Sequence, residues 1–299
     1  MIAEFRHQLR RYRGQILGWG IGFALFSLLM VAFYDSVVAM GDKLTQVMES
    51  LPPQLQALMG GSLDSIATPA GYLSTKYLAL LPVLGGIFAV LAGSGMIADD
   101  EERGTLDLIA AHPISRTALF SARFMALTLA IALILTLLWL GLVGAARAFA
   151  FPATALQMSL PILSLFGFLL LFAALALLLA ELLPSRRIAA SLAGALLVLS
   201  YFLSSMGEVT DRVDWATPFS PYSYFQSGDA MNGLNVAWLS GLIGVALLCA
   251  LMAWQRFLRR DIRVMGEGSW PGQSPPKQGQ TRGKIAAPLI LRPATGKDG

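Results

Sequence analysis

Six stretches of this chain carry no charged side chain: residues 14–34, 77–98, 124–146, 148–180, 188–207 and 230–255. Each has at least 20 residues, about what a helix rising roughly 1.5 Å per residue needs to cross roughly 30 Å of hydrocarbon. Lipid offers no hydrogen-bond partners, so a spanning backbone must pair its own N–H and C=O groups, as a helix does. The alternation of apolar and polar residues that marks a membrane barrel strand is missing from these stretches. The spacing therefore predicts an all-α integral membrane protein with six transmembrane helices. In the fourth stretch the helix is expected to start near Pro152 or Pro161, since proline is tolerated in a first turn but not inside.

Composition agrees with a lipid solvent. Only 13% of the 299 residues are charged and 56% are hydrophobic, whereas a soluble domain carries about 25% charged residues. Mean hydropathy is +0.63. Lys and Arg exceed Asp and Glu by 22 to 18, and the location of that excess sets the topology. The N-terminus, the second and fourth connections and the segment from Arg256 onward hold 18 of the basic residues; Lys43, Lys76, Arg147 and Arg212 are the four on the other side. By the positive-inside tendency both termini face the cytoplasm. The basic balance thus marks a membrane boundary and does not point to nucleic acid.

Three parts fall outside the spans. Residues 1–13 place Ile2, Phe5, Leu9 and Tyr12 on one helical face and Arg6, Arg10 and Arg13 elsewhere, which suits an interfacial amphipathic helix on the cytoplasmic side. The external segment 41–72 has apolar residues at helical spacing around Pro52-Pro53. Residues 264–299 are rich in Gly, Pro, Gln and Lys, as in a flexible basic cytoplasmic tail. The six-helix domain itself is expected over 14–263. The basic start runs into an apolar stretch too long for a cleavable signal core.

No constellation for catalysis emerges. Cys249 is the single cysteine and His7 and His112 the only histidines, so neither a disulfide nor a Cys/His metal cluster can be assembled. A phosphate-binding loop is absent; the nearest match, Gly279 to Lys284, has too few residues between its glycines and no Ser or Thr after the lysine. Neither histidine lies in a span, which leaves Ser94 without a base at membrane depth. The expectation is a chain that is not an enzyme and binds no cofactor or metal. Gly14, Gly18 and Gly22 form two overlapping GxxxG patterns that permit close helix contact, within one subunit or between two. Glu181 sits near Arg186 and Arg187 across a short turn and is expected to pair there.

The most informative connection joins the second and third spans. Four acids, Asp99 to Glu102, lead into Arg103-Gly104-Thr105-Leu106-Asp107-Leu108-Ile109, and Pro113-Ile114-Ser115-Arg116 closes the segment. Leu106, Ile109 and Ala110 follow helical spacing, and Pro113 ends it. This reads as a short helix across the cytoplasmic surface with acids at its N-terminal end, where the helix dipole favours them.

The run E-E-R-G-T-L-D-L followed by P-I-S-R resembles the coupling-helix signature of ABC type-2 transporter permeases. Further points of resemblance are Thr68-Pro69-Ala70-Gly71-Tyr72-Leu73, Leu81-Pro82, Ser220-Pro221-Tyr222-Ser223-Tyr224 and Phe257-Leu258-Arg259-Arg260-Asp261-Ile262. The resemblance covers residues 1–263. It implies a six-helix half-transporter in a bacterial inner membrane that dimerises, with itself or a similar permease, and works with two copies of an ABC ATPase. ATP and Mg would be bound by that partner. It also implies that Glu101, Glu102, Arg103, Gly104, Thr105, Leu106, Asp107, Leu108, Pro113, Ser115 and Arg116 couple to the ATPase across the 99–116 segment. An ATP-independent secondary transporter and a membrane scaffold are the competing readings. Intramembrane charges, which ion-coupled carriers use, are absent from all six stretches.

Overall fold

A computed structural model describes residues 1–37, 69–102, 104, 115–207 and 211–259. Six long helices make up the fold: α1 (Ile2–Ala32), α2 (Leu81–Glu102), α3 (Arg116–Ala148), α4 (Ala155–Leu182), α5 (Arg186–Gly207) and α6 (Val236–Arg259). Each is long and apolar enough to cross a membrane, and no strand occurs among the described residues. The segment expected to be external, up to Thr68, residues 208–210, the tail beyond Arg259, Arg103 and residues 105–114 lie outside the described residues.

Helix α4 forms the centre, packed by α2, α5, α6 and α3, while α1 lies along α3. The two run in the same direction, Glu4 opposite Arg123 and Ala24 opposite Gly141. Small residues set how closely these helices approach, as expected where no hydrophobic effect drives helices together in lipid. A Cβ on Gly93 of α2 would lie 2.1 Å from the Ala173 carbonyl oxygen of α4. A Cβ on Gly141 would lie 2.5 Å from Ala24 of α1. The outward faces are apolar instead: Leu17, Ile21 and Leu25 of α1, Leu199 and Phe202 of α5, and Leu248 and Leu251 of α6 are exposed. Water would penalise apolar surface on that scale, and lipid does not.

The α5–α6 connection folds back among the helices as three short 3-10 turns, Asp211–Phe219, Pro221–Tyr224 and Gly228–Asn232. Irregular backbone beside a membrane core must find hydrogen bonds from protein groups. The Gln226 N–H donates to Ser164 Oγ of α4 at 2.9 Å, and the Tyr222 N–H donates to Ser200 Oγ of α5 at 3.0 Å. The Tyr222 hydroxyl donates to the Ala79 carbonyl at 2.9 Å. Before α2, a turn at Pro69–Tyr72 and a π-helix at Leu73–Leu78 are tied to α1: Tyr72 donates to the Met30 carbonyl at 2.6 Å, and the Tyr77 hydroxyl pairs with Ser27.

Several expectations change. Residues 2–13 are helical but continue without a break into the first span. Their buried stripe is Glu4, Gln8 and Tyr12, whereas Ile2 is exposed. Helix α4 starts at Ala155, after a Thr154–Gln157 capping box, and Pro161 lies inside it. The start lies near Pro152, one of the two expected positions, and Pro161 leaves the Gln157 carbonyl without its usual i→i−4 donor. The last span begins at Val236, since 228–232 belongs to a 3-10 turn.

Candidate functional site

The acid run ends a helix. Asp99, Asp100, Glu101 and Glu102 form the last turn of α2. Gly104 follows with φ 65° and donates its N–H to the Glu101 carbonyl at 3.0 Å. A left-handed residue after a helix closes the end of the ladder, and glycine takes that conformation without steric cost. The short helix expected to follow, with Leu106, Ile109 and Ala110, lies outside the described residues. Carboxylates at a helix C-terminus face the negative end of its dipole and need cations from elsewhere.

Those cations come from three other helices. Arg123 of α3 has no exposed surface. Its Nε donates to Glu4 Oε1 at 2.9 Å, and Nη1 donates to the Met96 carbonyl at 3.0 Å. Its Nη2 lies 2.7 Å from Asp100 Oδ2. Arg11 of α1 reaches the same carboxylate, with Nη1 at 3.0 Å from Oδ1 and 3.1 Å from Oδ2, and lies 3.5 Å from Gln8 Oε1. Arg186, at the start of α5, pairs with Asp99. Asp100 and Glu4 are both buried, so the pairs are only weakly screened by solvent and salt.

Two carboxylates and two guanidiniums thus form a neutral group joining α1, α2 and α3, with a second pair adding α5. Buried ions persist when paired and hydrogen-bonded. Helix lengths explain how the charges reach one another: α3 spans 33 residues, about 50 Å at roughly 1.5 Å per residue. It extends beyond a roughly 30 Å hydrocarbon layer, and its extended first turns carry Arg123.

Of the residues expected to couple to an ATPase, the structure describes five. Glu101 is buried and Glu102 is exposed. Gly104 terminates α2. Ser115 caps α3, its Oγ accepting from the Ala118 N–H at 3.2 Å. Arg116 Nη1 reaches the Phe257 carbonyl at the end of α6 at 3.5 Å. Arg103, Thr105, Leu106, Asp107, Leu108 and Pro113 lie outside the described residues. The structure therefore brings the α2 end and α3 start to the same end of the bundle as the first turns of α1, the last of α6 and the start of α5.

Sequence reading missed Glu4, Arg11, Asp100 and Arg123 as one site. Arg123 counted only as a loop charge bordering a charge-free stretch. A signal did exist: Glu4 and Gln8 stand one turn apart, in register with Tyr12, so a helical face carried polar groups where an interfacial helix would be apolar. Glu181 is buried. Gly14, Gly18 and Gly22 face away from the subunit, each with nothing within 4 Å of an added Cβ, so contact within the subunit is not their role among the described residues. No group of three or more His, Cys, Asp or Glu suited to a metal occurs among the described residues.

The family model described as ABC-2 family transporter protein matches residues 4–262. No curated protein matches the chain.

Proposed function

This chain belongs to the ABC-2 transporter family, and we propose that it is the permease subunit of an ATP-driven exporter in a bacterial inner membrane. It is a multi-pass membrane transport component, and ATP hydrolysis is assigned to a separate ATPase chain that holds ATP and Mg. Two copies of that ATPase would serve two permease copies. The observation that carries this reading is the ionic group at the α2 end, directly before the 103–114 segment. A force applied there by a cytosolic partner passes through Arg123, Arg11 and Arg186 into α3, α1 and α5. Such coupling needs charge pairs that hold in low dielectric, which burial supplies.

In this reading Glu102, with its exposed side chain, and Asp107 meet basic groups on the ATPase, while Glu101 is committed to the permease interior. The cargo is an amphipathic or lipid-like molecule, in keeping with spans that carry no charge inside the hydrocarbon. A tagged chain solubilised from its native membrane should retain an ATPase, and vesicles containing both should move cargo only with ATP. Recovery of the chain without any ATPase, or movement without ATP, would favour a secondary carrier or a scaffold.

A further inference from the structure

At the end of the bundle opposite the ionic group, a cavity of about 860 Å³ opens between the ends of α5 and α6, the 3-10 turns and Ser74. Its size falls within the roughly 300–1,000 Å³ typical of small-molecule sites. Its wall is polar in composition, but most of its polar groups are already engaged. Ser204 bonds Ser220 at 3.0 Å and Ser223 at 2.7 Å. Ser223 also donates to the Thr217 carbonyl at 2.9 Å. Ser74 bonds Ser227 at 3.0 Å. The Gln226 amide is held by the Asn235 backbone. A sugar or polyol would find few free donors and acceptors, because satisfied hydroxyls gain little by exchanging partners.

The remaining lining groups have a different character. Asp229 is the only charged residue among the described lining residues; its side chain is exposed, and no described residue forms an ion pair with it. The rings of Tyr201, Tyr222 and Trp238 line the same space. Tyr201 and Tyr222 meet edge to face at 5.3 Å between centroids, and Tyr222 is fixed by its bond to Ala79. Ring faces attract cations, and a carboxylate with no ion-pair partner among the described residues does so over a longer range.

We propose that this cavity binds an organic cation with an apolar body, the rings taking the body and Asp229 the charge. The proposal deepens the transport reading and rests on it for the purpose of binding, though not for binding itself. The ligand class follows from the wall: a neutral amphipath would make no use of the Asp229 charge, and an anion would be repelled by it.

Equilibrium dialysis of tetraphenylphosphonium against the purified chain in lipid nanodiscs, without any ATPase, tests the site. Saturable binding is expected, weakened at least about ten-fold by Asp229→Asn and by Trp238→Ala. Asp229→Lys should lose the cation and gain saturable binding of tetraphenylborate. Asp35→Asn, an exposed acid that does not line the cavity, should bind as the parent does. The proposal fails if Asp229→Asn binds the cation unchanged, if Asp35→Asn weakens binding equally, if tetraphenylborate binds the parent as well as the cation does, or if maltose displaces the cation. Binding that passes these arms, without ATP-driven movement of the probe once the ATPase is added, would uphold the cavity and count against the transport reading.

Discussion

A guanidinium with no exposed surface persists only where its charge is answered. Arg123 meets Glu4, Asp100 and the Met96 carbonyl, which makes it the residue most sensitive to loss of a partner. Breaking a buried pair from one side costs about 3–5 kcal/mol, because an unanswered ion stays behind. Arg123→Met should therefore lower the thermal stability of the purified protein sharply. Adding Glu4→Gln and Asp100→Asn should recover a large part of the loss by removing the stranded charges. The comparison is a melting series in detergent; losses that simply add would show that the residues do not act as one group. Arg11→Gln should cost less, because Arg11 is partly exposed and water can replace it.

Elements show why part of the site was legible in the sequence and part was not. The six spans could be read because charge-free length is a local property. Helix ends depend on neighbours, and there the reading diverged. The acids at 99–102 were read against the segment that follows them, where the dipole of a new helix would favour them. They also close α2, whose dipole disfavours them. Three arginines from other helices reverse that preference, and no local pattern reveals them. The same holds for residues 1–13, where apolar spacing suggested a lipid-facing stripe. The buried partner Arg123 instead turns Glu4 and Gln8 inward. Packing of α2 on α4 supplies a second test. Gly93→Leu would force a side chain into the Ala173 backbone, so the yield of monodisperse protein should fall severely. Gly14→Leu, which meets nothing in the subunit, should leave the folded monomer intact; equal damage from both would refute the packing assignment.

The molecule as a whole consists of a buried pair, α2 and α4, surrounded by helices whose outer faces are largely apolar. One such face carries Gly14, Gly18 and Gly22 with no partner among the described residues of the subunit, as a second permease copy against α1 would require. In a Cys249→Ala background, Gly18→Cys should form an oxidant-induced cross-linked dimer in membranes, while Leu248→Cys should not. Cross-linking at Leu248 alone would move the interface to α6. Within the E-E-R-G-T-L-D-L run that carried the resemblance, Glu101 is buried and Glu102 is exposed.

The claim that a separate ATPase drives this permease through the α2–α3 connection is tested most directly by Glu102→Arg combined with Asp107→Arg. Both chains would be reconstituted in vesicles, and ATP hydrolysis measured with and without the permease. Normal membrane insertion with loss of permease-dependent stimulation, by about ten-fold or more, is the expected result. Stimulation unchanged from the parent protein would contradict the account.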